Sequence, residues 1–213
     1  MSPARLVAPP FDPCTAVTHL ARRDPVLRRV IDRHGPCELR IDPTSSLFAY
    51  LARAIVYQQL NGRAAATIFS RVRRLVAPRR VLRPADVLAL PDEHLRAAGL
   101  SATKASSLKD LARHAAAGEL PTIAEAHRLS DEELVERLTV IRGIGPWTVH
   151  MFLMFRLGRP DVLPVSDYGV RKGFQLAYRM RDLPDAALLT ARAERWRPYR
   201  SVGSWYMWRV LEA

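Results

Sequence analysis

Apolar residues recur along this chain at spacings of three and four, and the alternation that marks a strand is scarce. Asp24-Pro25 opens a segment carrying Val26, Leu27, Val30 and Ile31 on one side, and Gly35 closes it. That is an N-cap, a first-turn proline and a glycine stop in the helical order. A second helix is predicted from about Ser45 to Tyr57 on Leu47, Leu51 and Ala54/Ile55. Asn61 caps a third, with Ala64, Ala65, Ile68, Val72 and Leu75 facing inward before Pro78. Short helices follow near Pro84–Ala89 and Pro91–Ala98, the second ended by Gly99. Ser101 caps a helix reaching about Ala117, where Gly118 stops it. Ser130 and Glu133 have capping-box spacing, and their helix carries Leu134 and Leu138 as far as Arg142-Gly143. Further helices are predicted from Pro146 to Gly158, from Asp167, from Pro184 and from Ser201, the last holding Trp205 and Trp208. Glu38–Ile41 is the one predicted strand. The pattern is all-α.

Composition narrows the possibilities. Of 213 residues, 48% are hydrophobic and 25% charged, which excludes wholesale disorder. No apolar run approaches the roughly 20 residues that span a bilayer, and Met1–Pro10 lacks a signal-peptide stretch. Cys14 and Cys37 cannot supply a disulfide framework or an all-cysteine metal site, and they fit a reducing, cytoplasmic setting. The six histidines show no paired metal spacing, and no nucleotide phosphate loop or zinc-deaminase signature occurs. Charge is the strongest signal. Lys and Arg number 33 against 21 acids, a net +12, and all but Lys104, Lys109 and Lys172 are arginines. A chain this basic is expected to meet a polyanion, most often nucleic acid.

The most informative stretch is Leu138-Thr-Val-Ile-Arg-Gly143-Ile-Gly145-Pro-Trp147-Thr148. One helix ends, a Gly-x-Gly turn follows, and another helix begins. Glycines allow positive φ and bring backbone amides close to a ligand, and the following helix start adds positive potential. Such a turn is either a phosphate site, with Gly143, Gly145 and Thr148 as the contacts, or an ordinary tight connection between two helices. Downstream, Val162-Leu-Pro-Val-Ser-Asp167-Tyr-Gly-Val-Arg-Lys172-Gly sets an acid at a helix start. Hairpin, Pro-containing loop and acid in this order resemble the helix-hairpin-helix DNA glycosylase superfamily. Ala54-Ile-Val-Tyr-Gln58-Gln59-Leu60-Asn61 and Trp196-Arg-Pro-Tyr-Arg-Ser201 with the helix to Trp208 are similar to its 3-methyladenine DNA glycosylase II branch. The resemblance covers about Ser46 to Leu211. Only about 45 residues precede the Gln-Gln helix, too few for the N-terminal β-domain of the branch's larger form, so the likeness is to a compact form.

The resemblance implies a two-lobed helical fold with its active site in the cleft between lobes. Residues 1–43 would be an extension whose helices pack on the C-terminal lobe, and 44–213 the core. It implies a monofunctional N-glycosyl hydrolase that flips alkylated bases such as 3-methyladenine and 7-methylguanine out of double-stranded DNA in base excision repair. Asp167 would stabilise the electron-poor sugar. Trp147, Met151, Trp208 and Tyr206 would line the base pocket, Met151 standing where the family often has a tyrosine. Trp147 occupies the place of the lysine that bifunctional members use as nucleophile. Gln59, or its neighbour Leu60, would fill the emptied stack, and Lys104 would lie near DNA or be simply solvated. The carbonyls of Thr139, Ile141 and Ile144 would hold a Na+ or K+ ion, with no other cofactor required. The enzyme would act as a monomer, away from membranes, in the cytoplasm at a bacterial nucleoid. Two alternatives stay open: a non-catalytic hairpin module that only grips DNA, and a glycosylase for deaminated or oxidised bases.

Overall fold

The structure is a computed structural model that describes residues 6–44, 46–77 and 81–212. In chain order its helices are α1 (Pro13–Arg23), α2 (Pro25–His34), α3 (Leu47–Tyr57), α4 (Gly62–Arg74), α5 (Pro84–Ala89), α6 (Asp92–Ala97) and α7 (Ala102–Ala116). There follow α8 (Ile123–Arg128), α9 (Asp131–Thr139), α10 (Pro146–Phe152), α11 (Tyr168–Ala177), α12 (Ala186–Ala193) and α13 (Arg200–Arg209). The predicted positions Ser45 and Pro78 lie outside the described residues.

Most helix starts follow the caps read from sequence. Asn61, Ser101 and Ser130 each accept a backbone N–H of their own first turn, and Ser130–Glu133 closes as a capping box. Two helices escaped that reading. Asp12 accepts the Cys14 and Thr15 N–H groups and starts α1, and Thr122 with Glu125 makes a second capping box ahead of α8.

Other expectations shift in detail. Among the described residues no strand forms. In the predicted Glu38–Ile41 stretch Leu39 and Ile41 are buried, but Ile41 pairs with Val7 in an isolated antiparallel bridge, so no ladder builds. The predicted Pro146–Gly158 helix keeps its extent but widens to a π-helical turn over Leu153–Leu157, where the Leu153 carbonyl collects the N–H groups of Gly158 and Arg159. The helix expected at Pro184 begins one cap later, because Asp185 accepts the Leu188 N–H at 2.8 Å. Ser201 is no cap. Its hydroxyl donates to the Arg159 carbonyl (2.6 Å) and accepts the Val162 N–H (3.0 Å), and α13 starts at Arg200.

The chain divides into two compact units, Met1–Pro43 with His150–Ala213, and Thr44–Val149. The N-terminal helices thus group with the C-terminal third of the chain. In the first unit, Leu20, Leu27, Phe174, Trp196 and Tyr206 are fully enclosed. At their centre lies Asp24, with no solvent exposure. A buried carboxylate survives only when its lone pairs are filled. Here Oδ1 accepts the Val26 and Leu27 N–H groups, and Oδ2 accepts the Tyr178 hydroxyl and the Trp196 indole N–H. In the second unit α3, α5 and α6 pack on α7, which buries Leu108 and Leu111.

Candidate active site

Asp167 is the N-cap of α11. Its Oδ1 accepts the Val170 N–H at 2.8 Å and the indole N–H of Trp208 at 2.9 Å. The first bond is ordinary capping; the second comes from 41 residues away, on α13. Two donors at fixed angles leave the carboxylate little rotational freedom. Trp208 is itself placed by Phe155, whose ring lies 5.7 Å away at an interplanar angle of 32°.

The close approach of α11 and α13 depends on two glycines one helical turn apart. A Cβ on Gly173 would lie 1.9 Å from the Met207 carbonyl oxygen. A Cβ on Gly169 would lie 2.8 Å from Trp208 Cδ1 and 3.1 Å from Asp167 Oδ1. Any larger residue at either position pushes the helices apart or moves the indole off the acid.

The second unit holds the hairpin. Gly143 has φ +81° between α9 and α10, and a Cβ there would sit 2.7 Å from Ser107 Oγ on α7. One helical turn along α7, Asp110 Oδ2 accepts the Arg142 N–H at 2.8 Å. The loop after α3 reaches the same turn, since Gln58 Nε2 donates to the Gly143 carbonyl at 2.8 Å. Next to it Gln59 is exposed with φ +56°, and Leu60 is 40% exposed. Trp147 stands outward from the start of α10, at 44% exposure.

Three candidates are corrected. Tyr206 is fully buried, donates its hydroxyl to the Gly35 carbonyl at 2.9 Å and sets its ring edge-on to Trp205, so it belongs to the core and does not wall a pocket. Thr148 is buried, and its N–H is taken by the Gly145 carbonyl (3.0 Å), which removes it from the phosphate contacts. Lys104 is neither solvated nor turned to a phosphate. Its ammonium donates to the carbonyls of Val56 (2.8 Å) and Gln58 (2.6 Å), closing the end of α3, and burial lowers its pKa. Met151 is partly buried. Sequence reading missed Phe155 beside the Trp208 indole, Gly169 beside the acid, and Ser107 and Asp110 beside the turn. None of them carries a local signal for a contact so distant in sequence.

His150 follows Val149 on α10, and its Nδ1 is buried without a hydrogen-bond partner. Burial holds its pKa below the ordinary 6.5. The unfolded chain therefore takes up this proton first on acidification. The neutral ring's contribution to stability is complete above pH 6.5 and is lost as pH falls through the folded pKa. His34, lowered by burial and by Arg33 and Arg209, acts with the same sign. Thermal melts at pH 7.5 and 5.0 should show an acid-side drop in Tm that is smaller in His150→Leu.

The profile described as HhH-GPD superfamily base excision DNA repair protein matches residues 52–198. DNA-3-methyladenine glycosylase 1 of Schizosaccharomyces pombe is 40% identical over 160 residues, covering 75% of this chain and 70% of that protein. The solved structure of an S. pombe 3-methyladenine DNA glycosylase in complex with abasic DNA matches at TM-score 0.79 and 36% identity, over 93% of this chain and 97% of that one. That of a DNA-3-methyladenine glycosidase from Bacillus halodurans matches at TM-score 0.81 and 33% identity, over 96% and 91%.

Proposed function

The chain belongs to the HhH-GPD superfamily of base excision DNA repair proteins, and on that premise we propose that it is a monofunctional DNA glycosylase that hydrolyses alkylated purines out of duplex DNA. The observation that carries this reading is the Asp167 carboxylate, fixed by the α11 amide and the Trp208 indole.

An alkylated purine such as 3-methyladenine carries positive charge. When its C1′–N bond breaks, the electron pair leaves with the base, which departs neutral and needs no strong acid. The sugar left behind has oxocarbenium character, and a pre-set negative charge stabilises it without reorganising. Water then adds at C1′ and its surplus proton passes to solvent, leaving an abasic site in an unbroken strand. Each unit offers surface for a flipped base, Met151 and Trp208 in the first and Trp147 in the second, and indole faces attract flat cations. Gln59 or Leu60 fills the stack left by the flipped nucleotide. Gly143 and Gly145 bring backbone amides to a phosphate.

The lysines support hydrolysis over amine attack. Lys104 is spent on two carbonyls, Lys109 on those of Leu88 and Leu90, and Lys172 on the Gln175 side chain. For the implied Na+ or K+ ion, the carbonyls of Thr139, Ile141 and Ile144 are the right donor type. Ile141 accepts the Ile144 N–H at 3.0 Å and keeps its second lone pair. The ion would tie the turn to the phosphate. No helix among the described residues is long and apolar enough to cross a membrane. The protein works in a DNA-containing compartment, which we take to be a bacterial nucleoid, as a monomer.

A panel of single-lesion duplexes tests the reading. Release of free 3-methyladenine or 7-methylguanine, an intact strand and no borohydride-trapped adduct are expected. DNA binding without base release would leave only a gripping module, and a trapped adduct would make the enzyme a lyase. Trp208→Phe keeps an aromatic ring, though a smaller one, and removes the N–H. Single-turnover excision should fall about tenfold, the worth of one charge-assisted hydrogen bond, with Kd for DNA unchanged.

A further inference from the structure

We infer that Lys104 and Gln58 are positioning residues, which hold the exposed Gln59–Leu60 loop in its inserting shape and in register with the Gly143 turn. The inference rests on the glycosylase reading for what the loop does, and on the second unit alone for its geometry.

A helix C-terminus leaves carbonyls without intrahelical partners. At the end of α3 two of these, Val56 and Gln58, converge on the Lys104 ammonium at 2.8 and 2.6 Å. A C-terminal glycine would have served α3 alone. Here the cap comes from α7, which also contacts the hairpin turn between α9 and α10. Lys104, Ser107 and Asp110 lie three residues apart on one face of that helix. The first holds the α3 loop, the second lies against Gly143, and the third holds the Arg142 N–H. Gln58 closes the arrangement by donating across to the Gly143 carbonyl at 2.8 Å.

Between these anchors Gln59 adopts φ +56°, a left-handed conformation that costs a residue with a Cβ about 1 kcal/mol or more. Such a shape persists only where the neighbours over-determine it. On one side the Gln58 carbonyl is pinned by Lys104, and on the other Asn61 is locked as the N-cap of α4, accepting the Ala64 N–H at 2.9 Å. A plug that enters a base stack must stand at a set distance from the phosphate the hairpin grips. The Lys104–Gln58–Gly143 connection supplies that spacing before DNA arrives.

The test uses the full chain and a duplex with 2-aminopurine beside a tetrahydrofuran abasic analogue, whose fluorescence rises as the stack opens. Lys104→Met and Gln58→Leu should each lower the opening equilibrium about tenfold, a 1.4 kcal/mol effect, with affinity for an undamaged duplex unchanged. Lys104→Arg should restore part of the loss. Combined with Gln59→Ala/Leu60→Ala, neither substitution should add anything, because the loop it positions has lost its plug. Additive losses would reduce Lys104 to a plain helix cap, and either undiminished opening in both variants or no opening by the unaltered protein would overturn the inference. The readout needs no bond cleavage, so a failure to release bases counts against the proposed activity alone.

Discussion

Asp167→Asn should lower single-turnover excision of an alkylated base by about 10³-fold, the scale of removing a main electrostatic stabiliser from a preorganised site. Binding to an abasic duplex should persist. The change is unusually clean because an amide oxygen still accepts the Val170 N–H and the Trp208 indole N–H, which Asp167 accepts at 2.8 and 2.9 Å. Asn caps helices about as well as Asp, so stability should change by less than about 0.5 kcal/mol. Only the charge is removed. Excision within a fewfold of the unaltered protein would show that Asp167 is a helix cap and nothing more.

Gly173→Ala should be the most destabilising single methyl group that can be added to the first unit. The new Cβ meets the Met207 carbonyl oxygen, a backbone atom 1.9 Å away, and cannot be accommodated by a rotamer change. Overpacking of this kind costs about 3 kcal/mol, a fall of roughly 10 °C in Tm for a chain of this size. The separation of α11 from α13 should also carry Trp208 off Asp167, so excision falls even at temperatures where the protein is folded. Gly62→Ala, where nothing lies within 4 Å, is the matched control and should be neutral or slightly stabilising. Equal melting of the two variants would contradict the close-packed arrangement.

Sequence made legible what is local. Caps such as Asn61, Ser101 and Ser130 mark helix starts because each side chain serves its own first turn. Asp167 was found in the same way, as an acid at a helix start, and the resemblance gave it a role. The Thr122–Glu125 box was equally local and was passed over. The aromatics of α13 were not legible for a different reason. Ser201 to Met207 are all buried, so the helix has no amphipathic stripe to separate Tyr206, which faces the core, from Trp208, which faces the acid. Lys104 misled because charge at a surface-like position suggests solvent or phosphate, and its carbonyl partners lie 46 and 48 residues away. Gly169 and Gly173 are silent in any reading of periodicity. Their meaning is the nearness of another helix.

In the proposed reaction a fixed negative charge meets a positively charged sugar, and paired binding measurements isolate that encounter from every other contact. Two duplexes differ only at the lesion, one with a tetrahydrofuran abasic analogue and one with a cationic pyrrolidine in its place, which imitates the charge of the transition state. The unaltered protein should bind the pyrrolidine duplex at least tenfold more tightly, and in Asp167→Asn that preference should collapse to about one. Equal affinity of the unaltered protein for the two duplexes, or a preference that survives the substitution, would contradict it.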